Sequence, residues 1–203
     1  GVCLLLACGI GDVIGKPFIL CVCLTLWAGG YMEEWQQEKD ACGKWMYARM
    51  LYHSGGYKAA NEAYEKLYPV LRGRGAFLFE YGHSLHKSFL YGDSNKYLEE
   101  ACRYSSDPMV LNVMGKNYQE QHCYEQAEKF FYRAIHRLPG RIYPYYLLAN
   151  LYAEPDFYKP DKLKEAADSV LTKEPKVHST AIDEMRSEVR EILKRKDKCE
   201  IKK

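Results

Sequence analysis

The sequence lacks the residue patterns on which most enzyme and metal-binding classes depend. Its 203 residues carry a formal net charge of +2, which is too small a basic excess to predict binding to nucleic acid. The eight cysteines form no CxxC pair with a matching second pair, so we expect reduced thiols packed as small apolar groups. No nucleophile with a neighbouring base and no acid and base pair of carboxylates is evident. We therefore predict no catalytic residue and no cofactor.

A metal site is not predicted either. His83 and His86 lie three residues apart on one helix face, which is a spacing that metal ligands use. No third ligand occurs at a plausible offset, so this pair alone does not indicate a metal centre.

Charge is nearly absent from residues 1–32, which carry only Asp12 and Lys16. We interpret residues 1–11 as the end of one membrane helix, 11–17 as a tight turn and 18–32 as a last membrane span. The second apolar segment reaches about 24 Å as a helix, slightly less than the roughly 30 Å hydrocarbon core of a bilayer. Three alternatives stay open: a buried hairpin of a soluble protein, a signal peptide or anchor of a self-standing protein, and a lipoprotein.

A set of residue slots recurs along the rest of the chain at a spacing of 33–34 residues. Each unit has a tyrosine, a small residue three positions later, a large residue and then a small or aliphatic one. The three sets are Tyr57, Ala60, Tyr64 and Leu67; Tyr91, Ser94, Leu98 and Ala101; and Tyr124, Ala127, Phe131 and Ala134. Gly82 and Gly115 occupy a further common slot. This period, with small residues that let antiparallel helices approach closely, is typical of a helix-turn-helix solenoid.

The pattern predicts four parts of the chain. Residues 1–32 form the truncated membrane segment, 33–40 a connector, 41–175 about four repeats, and 176–203 a capping helix and basic tail. Pro139 closes the third repeat because proline cannot continue a helix. The last helix, over 181–196, is amphipathic, as a solenoid needs to cover its final apolar face.

The first helix of each repeat is expected to line a concave groove. The groove would be aromatic and mildly basic, and it suits an extended peptide or protein segment that carries acidic groups. Its predicted residues are Trp45, Arg49, Tyr52, His53, Phe79, His83, His86, Lys87, Asn112, Lys116, Tyr143, Tyr146 and Asn150. The alternative is that Phe79, Tyr143 and Tyr146 only pack within and between repeats.

The repeats resemble tetratricopeptide repeats, so the predicted fold is an all-α solenoid of that type with an N-terminal membrane-helix segment and a C-terminal capping helix. Over roughly residues 18–195 the chain is also similar to the C-terminal region of bacterial O-antigen ligase-like membrane proteins. The segments that carry this resemblance are GAFLFEYGHSL, then PGRIYPYYLLA within the third and fourth repeats, then KEPKVHSTAIDEMR.

The resemblance implies a parent protein that transfers or polymerises glycans from a polyprenyl carrier, of which this chain is a non-catalytic C-terminal part. The repeats would then be an interaction scaffold held at the bacterial inner membrane through residues 1–32. The basic residues after the span favour the cytoplasmic side weakly. The alternative is a self-standing, membrane-anchored tetratricopeptide adaptor without an enzymatic parent. A soluble enzyme would require a catalytic constellation that the sequence does not show.

Overall fold

The computed structural model describes residues 15–175 and 177–200, and it describes the side chains within 29–196 except those of 31, 34 and 176. All regular structure in this part of the chain is helical. The helices are α1 (Gly15–His53), α2 (Tyr57–Leu71), α3 (Gly75–Lys87), α4 (Tyr91–Tyr104), α5 (Pro108–Glu120), α6 (Tyr124–Arg137), α7 (Tyr143–Ala153), α8 (Pro160–Thr172) and α9 (Thr180–Glu200), with a short 3-10 helix at Pro155–Phe157. The prediction of an all-helical solenoid is confirmed.

Consecutive helices pair as hairpins, α1 with α2, α3 with α4, α5 with α6 and α7 with α8, and each hairpin packs on the next. The small residues of the repeat make this pairing possible. Ala60, Ala127 and Ala134 are completely buried. An ideal Cβ built on Gly115 would lie 2.3 Å from the Phe131 ring, so the backbone of α5 approaches α6 more closely than any larger residue allows.

The turn inside each of the first three hairpins has the same geometry. Gly55, Phe89 and His122, at equivalent positions, have φ values of 83°, 62° and 58°. The next residue donates its backbone N–H to a carbonyl five positions back, from Gly56 to Leu51 at 2.9 Å, Leu90 to Leu85 at 3.0 Å and Cys123 to Tyr118 at 2.8 Å. This is the Schellman arrangement, which satisfies the last carbonyls of a helix. It fixes the angle at which each hairpin closes.

The fourth hairpin departs from this pattern, as its two prolines predict. After α7 the chain forms the 3-10 helix, and the Lys159 N–H donates to the Tyr152 carbonyl at 3.2 Å before α8 begins. The last helix, α9, then packs on α7 and α8 and buries Val189 and Ile192. Arg186 donates to the Val170 and Lys173 carbonyls at 3.2 and 2.7 Å, which ties α9 to the C-terminal end of α8.

The N-terminal part of the chain differs from the prediction. Residues 15–17 of the predicted turn at 11–17 already belong to α1, and 11–14 lie outside the described residues. The backbone of the predicted span at 18–32 and the predicted connector at 33–40 is helical and continuous with the first repeat helix, because α1 runs unbroken from Gly15 to His53. The predicted helix end at residues 1–11 lies outside the described residues. Within the described residues no helix combines the length and the apolar character needed to cross a membrane. The membrane span therefore stays a prediction without support from the structure.

Candidate functional site

The thirteen residues predicted for the groove all belong to α1, α3, α5 and α7. These first helices of the hairpins contact one another in sequence, α1 with α3, α3 with α5 and α5 with α7. We call the surface that they form the first-helix face. Its side chains fall into three regions, which differ in whether their polar groups are already used inside the protein.

At the N-terminal end of the first-helix face, one carboxylate organises the polar groups. Glu80 accepts hydrogen bonds from the Trp45 indole at 2.7 Å and from Arg49 at 2.5 and 3.1 Å, and the Tyr64 hydroxyl donates to it at 3.5 Å. The Arg49 guanidinium also lies 4.9 Å from the centre of the Trp45 ring. The predicted set of groove residues does not include Glu80 and treats Arg49 as a free basic group. Its charge is instead neutralised by an internal ion pair.

In the next region the two histidines are held by hydrogen bonds and ring stacking. The Tyr52 hydroxyl lies 2.6 Å from His83 Nδ1, and the His83 ring stacks between Phe79 and His86 at centroid distances of 5.7 and 5.8 Å. Burial lowers the pKa of His83 to about 4, and His86, Lys87 and Lys116 nearby act in the same direction. His83 is therefore neutral at physiological pH.

His86 is part of a buried polar cluster that joins three helices. Its Nδ1 lies 2.7 Å from the Asn117 carboxamide oxygen, and the Asn117 amide donates to Ser94 at 2.8 Å and to Asn95 at 2.7 Å. The Ser94 hydroxyl in turn donates to the Gly82 carbonyl at 2.7 Å. Because of these partners, His83 serves the packing of α3 on α1, and His86 serves that of α3 on α4 and α5. Among the described residues no group of three or more metal-ligating side chains comes together.

The middle of the first-helix face, on α5, has polar groups that the protein does not use. Asn112 is 3% exposed, and its side-chain oxygen has no hydrogen-bond partner. One turn further on, Lys116 has no carboxylate within 4 Å in the described part of the chain. Burial lowers the pKa of Lys116, the cation of Lys87 lowers it further, and Glu120 acts in the opposite direction. This region therefore combines unpaired positive charge with an unsatisfied buried acceptor.

The C-terminal end of the first-helix face is aromatic and is closed by the capping helix. Tyr143 and Tyr146 stack at 6.2 Å, and the Tyr146 hydroxyl donates to Glu188 of α9. Burial, followed by that hydrogen bond, raises the pKa of Tyr146 to about 12. Asn150 donates to the Tyr146 carbonyl at 3.0 Å.

The predicted residues thus differ in how far the protein already uses them. Seven make hydrogen bonds within the protein: Trp45, Arg49, Tyr52, His83, His86, Tyr146 and Asn150. Phe79 and Tyr143 make ring contacts. Within the described residues Lys87 and Lys116 have no carboxylate within 4 Å, and the buried Asn112 oxygen has no hydrogen-bond partner. His53, at the N-terminal edge, is exposed and meets the Tyr52 ring edge to face at a centroid distance of 5.0 Å. Glu80, Asn117 and Glu188 contact these residues but are not among the thirteen predicted ones. Asn117 was detectable, since it interrupts the apolar face of α5 between Met114 and Tyr118.

No protein-family model matches the sequence, and no curated protein matches it. Solved structures of similar fold do exist. The 41-end chain of MamA from Desulfovibrio magneticus RS-1 aligns at 17% identity with a TM-score of 0.57, over 73% of this chain and 76% of that chain. PilF from Pseudomonas aeruginosa aligns at 16% identity and a TM-score of 0.58, over 83% of this chain and 82% of PilF.

A third similar structure is YrrB, a tetratricopeptide-repeat protein described as having an unusual peptide-binding site. It aligns at 14% identity with a TM-score of 0.54, over 83% of this chain and 97% of YrrB. Identities of this size bear on the fold alone. The four hairpins, the repeated turn and these structural similarities together show that the chain has a tetratricopeptide-like helical-repeat fold.

Proposed function

We propose that this chain is a protein-interaction scaffold and that the first-helix face binds an extended peptide or protein segment carrying an acidic group. The observation that carries the proposal is Lys116 of α5, a half-buried cation with no carboxylate within 4 Å in the described part of the chain. Leaving a buried acceptor without a hydrogen bond costs about 1–3 kcal/mol, and the Asn112 oxygen has no partner. Because that oxygen is buried, it marks a local weakness of α5 and is not itself a contact for the ligand.

The charge of the same region favours an acidic partner. Lys87 and Lys116 are close enough for each to lower the pKa of its neighbours, and both act on His83. A carboxylate bound between them would relieve this repulsion and would pair with Lys116, whose partly buried position strengthens the interaction relative to the open surface. The aromatic pair Tyr143 and Tyr146 then offers an apolar contact on the neighbouring helix.

The comparison with YrrB supports the kind of ligand, since that protein has a tetratricopeptide fold and a peptide-binding site. The broader setting rests on the resemblance to O-antigen ligase-like proteins. On that proposal the chain is the C-terminal scaffold of a membrane glycan ligase or polymerase, with its repeats in the cytoplasm. Sequencing the gene upstream of Gly1 tests this setting. Further apolar spans in the same frame support it, and a start codon within a few residues contradicts it.

The binding proposal is tested with a random-peptide phage library panned against the full chain, followed by calorimetric titration of the selected peptides. We expect the selected peptides to be enriched in aspartate and glutamate. Lys116→Gln should weaken their binding about tenfold, which is the size of one charge-assisted contact. The matched control is Lys129→Gln, which removes the same charge from an exposed position on α6 and should change nothing.

Two results would overturn the proposal. One is a library that yields no enriched peptide. The other is a set of peptides whose affinity is equal for the wild type and for Lys116→Gln, because such peptides would bind elsewhere. Arg49 is not a suitable test position, since its replacement would leave Glu80 without its ion-pair partner and would perturb folding.

A further inference from the structure

A second basic site lies away from the first-helix face, where the ends of the second helices meet. An open cavity of about 820 Å³ is formed between the turn at 105–107, which joins α4 to α5, and the turn at 138–141, which joins α6 to α7. None of its lining residues belongs to the thirteen residues predicted for the groove. Its volume falls within the range of small-molecule binding sites, about 300–1,000 Å³.

The cavity has an excess of positive charge. Arg103, Arg137 and Arg141 line it, and Asp107 is the one acidic residue among the ten that do. In the described ranges none of the three arginines has a carboxylate within 4 Å. The Asp107 carboxylate is engaged elsewhere, because it caps α5 by accepting from the Met109 N–H at 2.9 Å.

Helix dipoles account for the positions of two of these three arginines. Arg103 and Arg137 lie in the last turns of α4 and α6, where the helix dipole favours cations. Each helix end contributes only about half a unit of negative charge. The C-terminal ends of α4 and α6 and the Asp107 carboxylate together offset about two of the three arginine charges. The positive N-terminus of α5 adds to the positive charge that remains. Arg141 lies beyond α6, so the helix dipole does not account for it.

A thiol and two hydroxyl groups form the inner wall of the cavity. Cys102 lines it, and burial raises the pKa of its thiol, while Arg137 and Arg133 act to lower it. Ser105 and Ser106 add hydroxyl groups to the same wall, and Tyr104 and Leu138, which are 54% and 38% exposed, form an apolar rim. Several guanidinium groups with hydroxyl donors match the oxygens of a phosphate group, and the rim suits an apolar substituent.

We propose that this cavity binds the phosphate group of a small phosphate monoester, with its organic part against Tyr104 and Leu138. The proposal is independent of peptide binding on the first-helix face. The test is calorimetric titration of the full chain with phenyl phosphate, inorganic phosphate and phenol at constant ionic strength. We expect saturable binding of phenyl phosphate at millimolar concentration or below, weaker binding of inorganic phosphate and none of phenol.

The variants place the binding in the cavity. Arg141→Gln should weaken phenyl phosphate binding about tenfold, which corresponds to one lost charge-assisted contact. It lies outside the helices, so the fold should persist, and far-ultraviolet circular dichroism checks this. Lys129→Gln, which removes one charge from the outer surface of α6, should leave the affinity unchanged.

The outcomes distinguish a site for a phosphate monoester from a site for phosphate alone. Equal affinity for phenyl phosphate and inorganic phosphate would retain a phosphate site but overturn the role of the apolar rim. Binding of phenol as tight as that of phenyl phosphate would overturn the phosphate site. An absence of saturable binding of phenyl phosphate would also overturn the phosphate site. So would an equal loss of phenyl phosphate affinity in Arg141→Gln and Lys129→Gln.

Discussion

Replacing Gly115 with alanine tests the closest contact in the solenoid. Its added Cβ would lie 2.3 Å, 2.6 Å and 3.0 Å from three atoms of the Phe131 ring. Phe131 is completely buried, so its ring cannot move into solvent to relieve the overlap. The equivalent glycine of the second hairpin, Gly82, faces Leu98 at 2.7 Å. The repeat therefore excludes a side chain at this slot for the same steric reason in both hairpins.

Two opposing terms set the size of the effect. Alanine is more favourable than glycine in a helix interior by about 1 kcal/mol. Overpacking a filled core costs about 1–3 kcal/mol, and more where the contacts cannot relax. Since Phe131 is enclosed on all sides, we take the upper part of that range and expect Gly115→Ala to lower the free energy of unfolding by about 2 kcal/mol.

The assay is urea unfolding followed by circular dichroism at pH 7. Gly43→Ala is the matched control, because Gly43 lies inside α1 with no atom within 4 Å of the position of its Cβ, and it should stabilise the chain by up to about 1 kcal/mol. Gly115→Ala combined with Phe131→Leu should recover part of the loss, since the two sites are coupled. A Gly115→Ala variant as stable as the wild type would refute the steric argument.

Three further predictions concern the polar groups of the first-helix face. Unfolded histidine binds a proton near pH 6.5, but folded His83 does so only near pH 4, so stability should fall as the pH drops from 6.5 to 4, by at most about 3 kcal/mol; urea unfolding of His83→Gln should show that part of the pH dependence removed. Glu80→Gln leaves Arg49 without its ion-pair partner and should cost about 1.5–3 kcal/mol in the same assay, and an unchanged midpoint would contradict that role. Asn112→Leu removes an unsatisfied buried group and should raise the melting temperature, and a variant that melts no higher than the wild type would contradict this expectation.

The parts of the fold that the sequence predicted are those set by short-range sterics. The slots of Ala60, Ala127 and Gly115 recur because each lies where two helix backbones meet, and a residue of the wrong size is excluded at each one. The turns inside the hairpins were harder to predict from the sequence. Only Gly55 among the three left-handed positions is a glycine, and Phe89 and His122 adopt the same conformation because the surrounding hydrogen bonds hold it. Residue type alone does not reveal such a turn.

The helices that carry the candidate residues were predictable from the sequence, but the chemical state of those residues was not. Helical periodicity correctly assigned the predicted residues to the first helices of the hairpins. It did not show which side chains meet across neighbouring hairpins, because that depends on how the hairpins are rotated against each other. Arg49 meets Glu80, and Tyr52 meets His83, each pair separated by 31 residues. A list of basic residues therefore overstated the free charge of the N-terminal end.

The spacing of these pairs explains why the unused charge lies on α5. Arg49 and Lys116 hold equivalent positions in the first and third hairpins. Glu80 stands 31 residues after Arg49 and neutralises it, whereas the residue 31 positions after Lys116 is Leu147, which is buried and apolar. The third hairpin therefore repeats the cation of the first without its partner. Under the proposed function, the carboxylate of a bound segment pairs with Lys116 as Glu80 pairs with Arg49. Of these two equivalent cations, Lys116 is the one that lacks an internal partner, and the bound segment supplies it.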